Sequence, residues 1–205
     1  MNFIKRFILL FFILLPVASA GEAVDVLDSF LKNTRSIQCK FQQKLLDQNG
    51  ILLQQSAGDF YLHRPGRFVW DYTLPYPQKI VSNGKKIWIY DSELEQVSVK
   101  KYDQVLSGAP VMLLDQYKNL NEDFLVQELG LRAGQYWVKL TPKQAGDFKE
   151  IQVGMKNKLL RTMKLMDSFE QMTEIEFDHM QVNINLNSSL FKFITPEGTD
   201  VMGDF

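Results

Sequence analysis

Arg64 and Arg67 stand in the stretch LHRPGRFVWDY, Leu62 to Tyr72, among apolar and aromatic residues. A guanidinium keeps its charge and presents N–H donors in a planar fork, so its chemistry is hydrogen bonding to carboxylates or backbone carbonyls, not proton transfer. Arg64 has two readings at this level. It is either a snorkelling strand-end residue in a surface salt bridge worth about 0–1 kcal/mol, or a donor that reaches the unpaired carbonyls at the C-terminal end of a short helix. Arg67, on the face opposite Phe68, is expected to be a surface charge.

The other reactive residue types are sparse or poorly spaced. His63 and His179 have no neighbours at metal-ligand spacing, and no HExxH, CxxC or GxSxG pattern occurs. His63 reads as surface. No glycine-rich loop opens a helix, so no phosphate cradle is expected. Glu174, Glu176 and Asp178 alternate with Ile175 and Phe177 and read as the solvent face of a half-buried strand. Cys39 is the single cysteine, which excludes an internal disulfide; in SIQCKF it reads as a small half-buried apolar residue. No metal, cofactor or catalytic residue is expected.

The elements that would position Arg64 are mostly strands. GEAVDVLDSFLKNTRSI sets Val24, Leu27 and Leu31 at helical spacing, widened by Ala23, Val26 and Phe30, and predicts one amphipathic helix packed on something large. From Gln38 onward the pattern changes to short β-type segments, from Lys40–Asp47 to a last one at Phe191–Ile194. Asn49-Gly50 and Asn83-Gly84 predict type I′ hairpin turns, whose central residues both need positive φ. Sequential hairpins imply an antiparallel meander curled into an open or closed barrel.

Phe60, Leu62 and Arg64 share one face of their strand, and Phe68, Trp70 and Tyr72 share one face of the next. These residues either close on one another as core or line a cavity. The segment SGAPVMLLDQYKNL interrupts the strands. Pro110 fits the first turn of a short helix, followed by the apolar run Val111, Met112, Leu113 and Leu114. Such a helix must be covered by protein, as a core plug, or by a ligand.

The chain opens MNFIKRFILLFFILLPVASA, with a basic start, a short apolar run and an A-x-A site, which predicts a secretory signal peptide over residues 1–20. The apolar run is short for a membrane span of about 20 residues. The rest, residues 21–205, is expected to be one exported, soluble domain. Setting aside Lys5 and Arg6, 21 basic residues face 24 acidic ones, and nothing points to nucleic acid.

SAGDFYLHRPGRFVWDYTLPYPQKIVSNGKKIWIYDSELEQV, the GAPVMLL helix and the terminal FKFITPEGTDV together resemble the LolA family, periplasmic carriers of outer-membrane lipoproteins in Gram-negative bacteria. The resemblance implies a mainly β (α+β) fold: a half-open antiparallel β-barrel covered by a helical lid, with an apolar cavity for acyl chains. It places the family's functional arginine at Arg64-Pro65, its lid helix at Pro110, Val111, Met112, Leu113 and Leu114, and its F-x-W pair at Phe68 and Trp70. The cavity would be lined by Phe60, Leu62, Phe68, Trp70, Ile80 and Ile89.

The implied partners are outer-membrane lipoproteins, a LolCDE-type inner-membrane ABC transporter and a LolB-type outer-membrane receptor. The receptor is itself a lipoprotein with a cysteine after its signal, so Gly21 favours the soluble carrier, as a monomer. Two other readings stay open: a general periplasmic lipid-binding or lipoprotein-sensing half-barrel, and an esterase acting on acyl chains, which lacks a visible nucleophile–base pair.

Overall fold

The computed structural model describes residues 21–102, 111–115 and 119–203. The predicted signal peptide lies outside them. Helix α1 (Glu22–Asn33) comes first and buries Ala23, Leu27, Phe30 and Leu31, with Val24 and Val26 half-buried beside them. Glu22 and Asp25 in its first turn and Lys32 in its last complement the helix dipole.

Six strands follow in simple succession: β1 (Ser36–Leu46), β2 (Leu52–His63), β3 (Arg67–Leu74), β4 (Gln78–Asn83), β5 (Lys86–Asp91) and β6 (Gln96–Lys101). The short helices α2 (Val111–Asp115) and α3 (Leu120–Asp123) then lead into a second meander. This comprises β7 (Phe124–Arg132), β8 (Gln135–Pro142), β9 (Phe148–Lys156), β10 (Leu159–Asp167) and β11 (Met172–Val182). A 3-10 turn at Ser188–Phe191 and the short β12 (Asp200–Gly203) complete the described residues.

All of these strands form one 12-stranded sheet in the order β12-β6-β5-β4-β3-β2-β1-β11-β10-β9-β8-β7. The two meanders join where β1 pairs antiparallel with β11, and β12 runs parallel to β6. Edges β12 and β7 do not pair, so the barrel is half-open, as expected. The link from β6 to β7 must therefore pass from one side of the sheet to the other, and α2 and α3 lie on it.

Pleating explains why Phe68, Val69 and Trp70 are all buried, since successive side chains face opposite sides. Phe68 and Trp70 join the main core, on the side of the sheet that α1 covers. Val69 joins Val81, Leu186 and Phe191 in a second layer outside the sheet. The C-terminal segment makes that layer, and the predicted strand at Phe191–Ile194 is part of it. Phe193 stacks on Trp88 at 6.1 Å and meets Tyr90 at 5.8 Å, so its side chain is held by aromatic packing while its backbone joins no strand.

The turns at Asn49-Gly50 and Asn83-Gly84 are present but are not type I′. Only the glycines have positive φ, at 78° and 89°. Side chains organise these turns instead: Asp47 accepts from the N–H groups of Asn49 and Ile51, and Asn83 from those of Lys85 and Lys86. Paired positive-φ residues of the I′ kind occur at Asn157-Lys158, between β9 and β10.

Candidate functional site

Antiparallel register sets side chains of successive strands in rows across the inner face. Cys39, Phe60, Trp70, Ile80 and Ile89 stand side by side from β1 to β5. Ile37, Leu62 and Phe68 form the adjacent row toward Arg64. Phe60, Leu62, Phe68 and Trp70 are buried in the main core, and Ile80 and Ile89 are half-buried against it. The Trp70 ring packs on Phe60 and Phe41 at 4.6 and 5.1 Å, and its indole N–H meets no acceptor among the described residues. Burial pushes the Cys39 thiol up to about 12, with the Asp59 charge acting in the same direction. Tyr72, the next residue along the inner face, is likewise held neutral by burial.

Arg64 leaves the end of β2 and turns toward the helices. Its Nε donates to the Leu114 carbonyl at 2.5 Å, its Nη1 donates to the Leu31 carbonyl, and its Nη2 has no partner among the described residues. Leu31 and Leu114 belong to the last turns of α1 and α2. Carbonyls there lack intrahelical donors and carry the negative end of the helix dipole, so one cation satisfies two helix termini at once. Burial lowers the pKa of the guanidinium, and the nearby Asp115 charge opposes that shift.

Asp115 ends α2 and is 2% exposed. A carboxylate at a helix C-terminus opposes the dipole, so its burial needs strong donors. They come from the Gly66 N–H, at 2.8 Å to Oδ1, and from the Tyr102 hydroxyl to Oδ2. Gly66 has φ +78°, and a Cβ built there would lie 2.7 Å from Cα of Gly84. The turn after Arg64-Pro65 thus presents both a cation and a backbone donor to the same helix end.

The opposite end of α1 is held by Glu128 of β7, which accepts from the N–H groups of Gly21 and of Ala23, the latter at 3.1 Å. Sequence reading singled out neither Asp115 nor Glu128. The available signal for Asp115 was an acid directly after an apolar run, where it works against the helix dipole.

Of the predicted lid residues, Val111, Leu113 and Leu114 are buried in the main core. Met112 lies within α2, but its side chain, like Pro110 as a whole, falls outside the described residues. Arg67 is not a solvated surface charge. It is half-buried, its guanidinium carbon sits 5.7 Å over the Phe191 ring, and its Nη2 is 2.7 Å from Nδ1 of His63. The C-terminal segment that covers the outer face created this environment. His63 is half-buried in the same cluster, edge-on to Phe191 at 6.2 Å. Among the described residues no group of His, Cys, Asp and Glu is arranged to hold a metal.

The family model described as "Outer membrane lipoprotein carrier protein LolA" matches residues 32–194. The chain belongs to the LolA family. As a LolA-family chain it is 41% identical over 202 residues to the outer-membrane lipoprotein carrier protein of Methylococcus capsulatus, covering 95% of this chain and 97% of that one. It is 42% identical over 195 residues to the protein of the same description from Dechloromonas aromatica, covering 94% and 93%.

Solved structures agree on the fold alone. An uncharacterized conserved protein from Thermus thermophilus superposes with a TM-score of 0.58 at 12% identity, covering 91% of this chain and 99% of that one. A LolA superfamily protein from Nitrosomonas europaea does so with a TM-score of 0.50 at 11% identity, covering 85% and 97%. LolA membership makes the protein a periplasmic chaperone of lipoprotein transport and not an enzyme.

Proposed function

We propose that this protein carries lipoproteins from the inner to the outer membrane with their acyl chains sheltered on the inner face of the half-barrel, and that Arg64 latches α2 over that face. Lipoproteins arrive from a LolCDE-type ABC transporter and leave to a LolB-type receptor, and a signal peptide over residues 1–20 delivers the carrier to the periplasm. The observation that carries this reading is Arg64 bonded to the Leu114 carbonyl beside the buried row of Leu62 and Phe68.

The energetics set the design. A lipid of about three chains with about 15 methylenes each holds on the order of 36 kcal/mol of apolar transfer energy, at ~0.8 kcal/mol per CH₂. Such a cargo does not cross water uncovered. The inner face supplies apolar cover from Phe60, Leu62, Phe68 and Trp70, with Ile80 and Ile89 at its margin. Val111, Leu113 and Leu114 supply the cover when no cargo is present, with Met112 and Pro110 completing the lid segment. An apolar face left open invites self-association.

The latch must be weak enough for cargo to displace. A charge-assisted hydrogen bond contributes about 1.5–3 kcal/mol, which shifts a closed–open equilibrium by roughly 10- to 150-fold. No nucleotide site is needed if the carrier holds the chains less tightly than its acceptor does.

The test is Arg64→Leu expressed in a periplasm. The hypothesis expects lipoprotein to accumulate on the variant, with delivery to the outer membrane reduced at least tenfold. Normal hand-off by this variant would sink the latch, and purified protein that never carries acylated polypeptide would sink the carrier reading itself.

A further inference from the structure

We infer that the Trp70 indole N–H is a recognition donor for a carbonyl oxygen at the head of an acyl chain, so that the inner face selects ester- or amide-linked lipid over hydrocarbon of the same shape. The inference rests on the carrier reading above and deepens it.

Trp70 is 5% exposed, and its N–H is without an acceptor among the described residues. Its ring neighbours are Phe41, Phe60, Tyr72 and Phe177, with centroids between 4.6 and 6.5 Å away. Three of the four are phenylalanines, which offer no oxygen. Buried tryptophan normally finds a partner for its N–H, and the great majority of buried polar atoms are paired. A phenylalanine here would keep the aromatic packing without leaving a buried donor unpaired, so packing alone gives no reason for an indole.

The second buried donor without a partner among the described residues is Nη2 of Arg64. Arg64 follows Leu62 by two residues and Phe60, the cross-strand partner of Trp70, by four, a separation of roughly 13 Å along the strand. Two buried donors without partners among the described residues therefore lie along an otherwise apolar face. The matching ligand is apolar over most of its length and carries acceptor-only groups, and an acyl ester or amide fits that description.

The same donors bear on release. A ligand shifts a closed–open equilibrium only through interactions that the closed state lacks. With α2 in place the Trp70 N–H has no partner among the described residues, so its bond to a cargo carbonyl is a difference of that kind.

The experiment compares a dipalmitoylglyceryl lipopeptide with its dihexadecyl ether counterpart, which keeps both chains and lacks the carbonyls, each presented from the same detergent. Wild-type protein is expected to bind the ester about tenfold more tightly, within the range for a buried hydrogen bond lost, and Trp70→Phe to bind the two equally. As a readout independent of the variant's folding, the 15N-indole spectrum of wild-type protein should show one of its 3 tryptophan N–H signals shifting downfield with ester and not with ether. Equal wild-type affinities, or a tenfold ester preference kept in Trp70→Phe, would overturn the inference. Failure of wild-type protein to bind either lipid would overturn the carrier reading and this inference with it.

Discussion

Asp115 and Arg64 hold the end of α2 by different chemistry, and single substitutions separate them. Replacing Asp115 with alanine strips the acceptor from the Gly66 N–H and the Tyr102 hydroxyl. Unpairing the buried Gly66 N–H costs about 1–3 kcal/mol, so Asp115→Ala is expected to lower the unfolding free energy by about that much in urea titrations. An unchanged midpoint and slope would show that the lid does not depend on it.

Cys39 and Tyr72 make a pH prediction at the same scale. Both pKa values are raised on folding, from 9.0 and 10.0 to about 12, chiefly by burial. The unfolded chain thus loses these protons first as pH rises. Their contribution is complete below pH 9 and is lost progressively up to about pH 12. Stability should fall across that window, and Tyr72→Phe should flatten the fall. A profile identical to wild type would remove Tyr72 from the explanation.

Arg64 stood out in the sequence because a cation on an apolar strand face breaks the alternation rule, but the residues alone left it between a surface ion pair and a helix-end donor, and the family resemblance favoured the second. Asp115 and Glu128 did not, since each accepts from a backbone N–H far along the chain, 49 residues away at Gly66 and 107 at Gly21.

At the scale of elements, local pattern carried most of the strands. Phe60 and Leu62 alternate with half-buried neighbours in β2, whereas in β3 Val69 is buried between Phe68 and Trp70 and breaks that alternation. The departure, like the misread strand at Phe191–Ile194, comes from the outer layer, which no single segment announces. FKFI alternates like a strand, yet its aromatic side chains are used to cover another strand pair.

Turns offer a controlled comparison. Gly66 and Gly134 have φ of +78° and +74°, but a Cβ meets the Gly84 backbone at 2.7 Å in the first case and nothing within 4 Å in the second. Asparagine tolerates the left-handed region, so Gly134→Asn should change stability by less than about 0.5 kcal/mol. Gly66→Asn must move the turn that bonds Asp115, and should cost at least about 2 kcal/mol. Thermal unfolding of the two variants checks this, and similar losses in both would mean that backbone conformation rather than the close approach decides.

Viewed whole, the molecule is two meanders sharing one sheet, and their junction was the least legible part of the fold. Neighbouring strands pair through short turns that local sequence marks, whereas β1 with β11 and β6 with β12 are joined across long stretches of the chain. The half-open barrel came from the family resemblance and the run of hairpins, and the order of the sheet came only from the structure.

The central position of β1 also has a consequence in time. One flank of β1 meets β2 through a local hairpin, while the other waits for β11; near this junction the Arg35 N–H bonds Asn183 across 148 residues of chain. Long loops close slowly, and an unpaired strand edge recruits other chains. We predict that in pulse-labelled refolding the β1 amides facing β2 gain protection before those facing β11, whereas simultaneous protection would point to a single concerted closure. A nascent chain that has already completed β1 to β6 would then carry an open edge until β11 emerges, so the carrier is itself most in need of shelter before its last third is made.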